Sequence, residues 1–446
     1  MTEPLPAPQD AIEVAAAIGF GIARRALWSG DRCTWFDAVP TMPAQNPATS
    51  VMSGPDLYGG TSGIGWFLAQ AATRTGDALL RRTARGALNQ AAARASEYAK
   101  AAPHGFYGGS AGIGAALVLA GQELGTEQSI AAGRALLLDL PRDAAIADVT
   151  DIIGGIAGSV AALALAADAL GRDAALLARA GEFAERLVAR GERCARGTLS
   201  WHTLGDISAN LTGFAHGTAG IAHALMLLDA LAPEPGLHEA AAAAFAYEAT
   251  TFDKAQANWP DFRLLPGQAP GPVPYPVAWC HGAAGIVRSR LFAEARGGFQ
   301  VAAEIEAGLG TTARYARQWY RTPNADFTAC HGIFGLLDAL LDGVRSGRGA
   351  HAPVLAEIVS YATERFHRDE RAWPSGLVTH EEISGLMLGN AGIGHIYLRI
   401  GDPTLRSLLA PVPLRAATQT GVGTPVTVTA VTADRSNHEK RGWTSR

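Results

Sequence analysis

Two triplets of the same composition, Cys280-His281-Gly282 and Cys330-His331-Gly332, stand 50 residues apart in the chain. Two thiolates and a neutral imidazole suit zinc, which such donors bind tetrahedrally; three protein ligands leave a fourth position open, as in catalytic sites. The bland alternative is that both triplets only cap helices, because buried free cysteine is common. Recurrence of the pair at equivalent places argues for the metal, and symmetry alone leaves open whether His281 or His331 is the third ligand. A further histidine, His216, precedes a glycine in the same way, and Asp151 lies four residues before Gly155 in DIIGGIAG. Side by side they would make an acid–base pair next to the metal. Taken singly, Asp151 reads as a helix cap and His216 as a satisfied loop residue. Cys33 and Cys194 have no histidine in register and read as incidental thiols.

A repeat is what must bring these residues together. A G-x-x-G pattern recurs seven times, its first glycines at Gly60, Gly109, Gly155, Gly217, Gly282, Gly332 and Gly389, in steps of 49, 46, 62, 65, 50 and 57 residues. Periods of this size mark repeat architectures. Each copy runs into an apolar, small-residue stretch such as GIAHALMLLDAL (220–231), which predicts a helix buried on all sides, beginning near Gly63, Gly112, Gly158, Gly220, Gly285, Gly335 and Gly392. Between them lie amphipathic segments at 12–27, 79–99, 126–140, 173–191, 236–254, 299–320 and 351–368. In one of these, Leu176, Ala180, Phe183 and Leu187 form the apolar line, with Arg179, Glu182, Glu185, Arg186 and Arg190 largely off it. The expected fold is all-α, an α/α toroid of seven inner and seven outer helices. An open array would expose helices this apolar. Closure sets every glycine loop at one end of the ring, where the preceding residues converge on a shared pocket. The expected layout is one toroid domain over 1–412 with a loose start at 1–10, and an extended or disordered tail over 413–446.

Bulk properties narrow the function. The 446 residues are 48% apolar, with 37 basic and 41 acidic side chains, which gives no nucleic-acid footprint. No stretch approaches the ~18 apolar residues of a membrane span. The start, MTEPLPAPQDAIEV, lacks the basic head and apolar stretch of a secretory signal. Four cysteines in such a length make no disulfide framework, and a cytoplasmic, reducing home fits. A toroidal glycosidase would need paired carboxylates about 5–10 Å apart, and the rim motifs offer only Asp151 and Asp56.

LTGFAHGTAGIA (211–222), AWCHGAAGI (278–286), ACHGIFG (329–335), GLMLGNAGIG (385–394) and NWPDFR (258–263) resemble the lanthionine synthetase C-like (LanC) cyclases over roughly residues 55–412. The resemblance implies Zn²⁺ held by Cys280, Cys330 and His331, with His281 beside it and unbound, and acid–base roles for Asp151 and His216. It implies lanthipeptide biosynthesis, in which a cysteine thiol of a ribosomal precursor peptide adds to dehydroalanine or dehydrobutyrine and closes a thioether ring. The implied partners are that dehydrated peptide and a separate dehydratase or other biosynthetic enzymes. Pro276 stands where some stand-alone members carry an arginine. Two alternatives use the same site: glutathione addition to dehydrated residues, and a non-catalytic scaffold that presents peptide to partner enzymes.

Overall fold

A computed structural model describes residues 5–39, 49–142, 149–194, 197–204, 207, 209–263, 271–375 and 382–413. The expected tail beyond 413 lies outside them. Fourteen α-helices alternate along the described chain in two kinds. The first outer and inner helices are α1 (Pro8–Arg24) and α2 (Thr61–Thr75), followed by α3 (Ala78–Ala101) and α4 (Ser110–Leu124). Next come α5 (Glu127–Leu138), α6 (Ile156–Ala169), α7 (Ala174–Ala189) and α8 (Thr218–Leu231). The last six are α9 (Pro235–Thr251), α10 (Ala283–Arg296), α11 (Ala302–Trp319), α12 (Ile333–Arg345), α13 (Ala352–Ala362) and α14 (Asn390–Gly401).

Even-numbered helices form the inner ring. Each packs on the next, and α14 returns to α2, which closes the circle. Residues of α6 and α8 are buried almost without exception, as stretches apolar on every side require. Each odd-numbered helix packs outside the inner helix that precedes it, and α1 covers α14, so the chain's first helix completes its last pair. On α7 the line Leu176, Ala180, Phe183, Leu187 faces inward, and Arg179 is buried with it, its guanidinium 4.6 Å over the Phe183 ring.

Each inner helix begins against its own preceding loop, and that demands glycine. A Cβ on Gly112 would stand 1.7 Å from the Phe106 carbonyl oxygen, and one on Gly220 would stand 1.9 Å from that of Phe214. Helix α10 starts after Gly282, whose φ of +81° favours glycine as well.

Three features depart from expectation. Helix α1 begins at Pro8, so the start is ordered earlier than a loose 1–10 would have it. Short hairpins also occur: β1 (Leu27–Ser29) pairs β2 (Arg32–Thr34), β3 (Phe36–Val39) pairs β4 (Thr49–Met52), and β5 (Glu192–Arg193) pairs β6 (Leu199–Ser200). Finally, residues 405–411 thread the centre of the ring. Tyr107 Oη donates to the carbonyls of Leu408 and Leu409 at 3.0 and 2.8 Å, and Trp279 Nε1 donates to Leu409 at 2.7 Å. His223 Nε2 bonds Pro411 O at 2.9 Å, and His395 Nε2 accepts from Leu408 N at 3.0 Å. Asp338 of α12 joins the strap through Ser407 Oγ at 2.5 Å while also pairing with Arg288 of α10 and Arg399 of α14.

Burial lowers three interior imidazoles from 6.5: His104 and His223 to about 4, and His395 to about 3. The unfolded chain binds protons there that the folded chain refuses, so stability is full above about pH 6.5 and falls as pH drops below it, by up to about 1.4 kcal/mol per pH unit for each histidine. Melting followed by circular dichroism should show Tm declining from about pH 6.5 toward pH 5; a flat Tm across that window contradicts this account.

Candidate metal centre and acid–base pair

Backbone hydrogen bonds lace the seven glycine loops together at one end of the ring. Met387 N donates to Tyr58 O, Tyr58 N to Tyr107 O, and Gly108 N to Ile153 O; Ala215 N donates to Cys280 O, Cys280 N to Cys330 O, and Cys330 N to Met387 O. The residues two places before each first glycine are therefore ring neighbours: Tyr58, Tyr107, Ile153, Ala215, Cys280, Cys330 and Met387. Among the described residues, the joint between the third and fourth loops carries no such backbone bond. His216 Nδ1 and Asp151 Oδ2 bridge it at 2.6 Å.

The lacing sets Cys280 beside Cys330, and their thiols hydrogen-bond each other. The bond from Cys330 holds Cys280 below the ordinary thiol range despite burial, and the Arg263 charge adds to this. The same bond, with burial, holds Cys330 well above it. Tyr58 Oη donates to Cys330 Sγ at 3.1 Å, and burial pushes its own pKa upward.

His331 is half exposed, and its Nε2 lies 3.1 Å from Asp326 Oδ2. Asp326 is fixed in turn by Thr328 N at 2.6 Å and Thr328 Oγ1 at 3.0 Å. With Nε2 against that carboxylate, Nδ1 is the nitrogen left to ligate, and a carboxylate at the other nitrogen is the usual support of a metal-binding histidine. Among the described residues no three His, Cys, Asp or Glu side chains gather closely enough to hold an ion as placed. The donor chemistry nonetheless suits zinc: two adjacent sulfurs, and a histidine beside a carboxylate on the residue after Cys330.

His281 is buried, neither ring nitrogen has a hydrogen-bond partner among the described residues, and burial lowers its pKa to about 3. Its ring stacks on that of His216 with centroids 5.9 Å apart. Asp151 does two things at once: Oδ1 accepts from Gly154 N at 2.8 Å and Gly155 N at 3.1 Å, while Oδ2 holds His216. Asp151 therefore braces the turn before α6 and does not cap the helix itself, whose N-cap Gly155 has no side-chain capping bond. The Asp151 bond fixes His216 in one tautomer and leaves Nε2 for chemistry.

Sequence reasoning missed Tyr58, Asp326, and the Asp261–Arg263 pair with its 2.6 Å contact. Tyr58 had a signal, for it occupies in YGG the place that cysteine occupies in CHG, and Asp261 and Arg263 lie within NWPDFR, which by sequence reads only as a motif of the resemblance. Cys33 donates to Thr83 O at 3.4 Å and Cys194 lies 2.7 Å from Thr198 Oγ1, both away from the rim loops.

Fold and rim together define an α/α toroid carrying a cysteine pair and a His–Asp pair at one mouth. The model of the "Lanthionine synthetase C-like protein" family matches residues 51–412, and the chain belongs to that family. The solved structure of nisin cyclase shares the fold, with a TM-score of 0.54 at 16% identity over 78% of this chain and 88% of that one. A GH76 alpha-mannanase from Bacteroides thetaiotaomicron aligns at a TM-score of 0.47 and 10% identity over 88% of this chain and 95% of that one. No curated protein matches the chain.

Thiol alkylation tests the cysteine assignments. In metal-free protein near neutral pH, iodoacetamide should modify Cys280 far faster than Cys33, whose burial lifts its pKa to about 12. Peptide mapping that finds Cys33 labelled as fast as Cys280 contradicts the pairing.

Proposed function

We propose that this protein is a zinc-dependent lanthionine cyclase, adding a cysteine thiol of a dehydrated precursor peptide to dehydroalanine or dehydrobutyrine. The observation that carries this reading is the Cys280–Cys330 thiol pair, joined through Ala215 to the loop on which His216 meets Asp151. Cys280, Cys330 and His331 would hold the ion. When bound there, zinc with two thiolates and a neutral imidazole would be formally uncharged and would supply the acidity that ionises the substrate thiol at neutral pH.

The chain's own residues supply the rest. Tyr58 and Asp326 orient Cys330 and His331. As the substrate sulfur bonds to Cβ, the Cα–Cβ π pair moves toward the carbonyl, and Cα then takes a proton. His216 Nε2 would deliver it, and Asp151, bonded to the other ring nitrogen, would stabilise the imidazolium before transfer. The thiol loses one proton and Cα gains one, so ring closure is an isomerisation with no net proton consumed. The peptide arrives already dehydrated, from a separate enzyme.

Two variants separate metal binding from proton transfer. Cys330→Ala should lower zinc from about one ion per chain to near none and abolish ring closure; full metal with a normal rate refutes the ligand assignment. His216→Asn should keep its zinc and slow ring closure by about 10²–10⁴-fold. Unchanged kinetics would remove His216 from the mechanism.

A further inference from the structure

Thiol addition to a dehydroamino acid places negative charge on that residue's carbonyl oxygen, and an oxyanion formed out of bulk water needs donors aimed at it. One cluster beside the thiol pair holds donors not spent elsewhere. Asp261 is buried, and Arg263 grips it side-on: Nε lies 3.0 Å from each carboxylate oxygen and Nη2 2.6 Å from Oδ2. The backbone N–H of Arg263 adds a bond of 3.1 Å to Oδ1. In a side-on pair Nη1 is the nitrogen left over. The Arg263 side chain is one-third exposed, and among the described residues Nη1 has no hydrogen-bond partner.

His281 flanks the same carboxylate, its Nδ1 3.9 Å from Asp261 Oδ2 and so beyond hydrogen-bonding reach. The imidazole is 2% exposed, and both ring nitrogens lack partners. Native structures rarely bury a donor without a use for it, and an imidazole presents at least one N–H in either protonation state. The ring directly follows Cys280 in the chain and stacks on His216. The Arg263 charge also reaches Cys280. Unspent N–H groups thus border the space between the nucleophile's site and the proton donor.

We propose that Arg263 and His281 form the oxyanion site of the reaction, binding the carbonyl oxygen of the dehydroamino acid and holding the charge it gains. This rests on the cyclase reading above. The S–Cβ bond forms, the Cα–Cβ π bond breaks, and its electron pair becomes the enolate held by the two N–H donors. The pair returns to Cα as the proton arrives there, restoring the carbonyl. Asp261 is a positioning residue that fixes the guanidinium.

The test uses full-length, zinc-loaded protein and a dehydrated cysteine-containing peptide, with Arg263→Gln, Arg263→Lys and His281→Phe. Four quantities are read: kcat, zinc content, Tm, and deuterium uptake at Cα of the finished thioether product in D₂O, which reports enolate formation without ring closure. Arg263→Gln should lose about 10²–10³ in kcat and slow Cα exchange in parallel, with zinc and Tm retained. His281→Phe, which keeps the ring stacked on His216, should also lower both rates, and Arg263→Lys should restore only part of the loss because it lacks the fork. If the wild type closes rings and both Arg263→Gln and His281→Phe match it, the oxyanion site is wrong and the cyclase reading stands. The oxyanion site is equally overturned if Arg263→Gln fails only through melting while Arg263→Lys is fully active. A wild type that never closes rings overturns both.

Discussion

The close approach of seven backbone loops at one end of the ring is the constraint on which the rest of this structure depends. Each loop turns back on itself before its inner helix and donates to or accepts from its neighbour. A side chain at the second glycine of a copy would drive into a carbonyl oxygen, as at Gly112 and Gly220. Each such hydrogen bond is modest in net terms, about 0.5–1.5 kcal/mol, while a buried backbone group left without its partner costs more. The loops therefore hold register. Once register is held, residues 272 apart in sequence, Tyr58 and Cys330, come within hydrogen-bonding distance.

Chemistry enters where the symmetry is broken. Six joints of the ring have a backbone bond among the described residues, and the remaining one is bridged by Asp151 and His216. The pair proposed to transfer the proton thereby sits where the backbone does not bind the loops, next to the joint that brings Ala215 to Cys280. The far side is filled by the 405–411 strap, whose carbonyls accept from Tyr107 and Trp279 on the loops themselves. The strap backs the rim with buried backbone, so the candidate site residues rest on a floor fixed by other residues of the same motifs.

Much of this was legible in the sequence because it repeats. The buried helices begin two residues before the glycines used to mark them, and the outer helix expected over 299–320 runs Ala302–Trp319. Periodicity is local information and carried that far. It did not carry to the strap, which reaches partners as far as 302 residues away, or to the Asp261–Arg263 fork, which is closed by side chains within one loop. Nor could spacing say that His331 leans on Asp326 while His281 lies buried without a partner. Those facts depend on how neighbouring loops fill space, and that is settled only when the ring has closed.

The central claim is that this rim adds a thiol to a dehydrated residue within one peptide. Ring closure leaves the mass of the peptide unchanged and consumes one free thiol. The most direct measurement is therefore the number of N-ethylmaleimide adducts on a dehydrated, cysteine-containing peptide before and after incubation with the zinc-loaded protein. The account predicts one adduct fewer for each ring closed, with fragmentation suppressed between the linked residues. An unchanged adduct count, with about one zinc bound per chain, would contradict it.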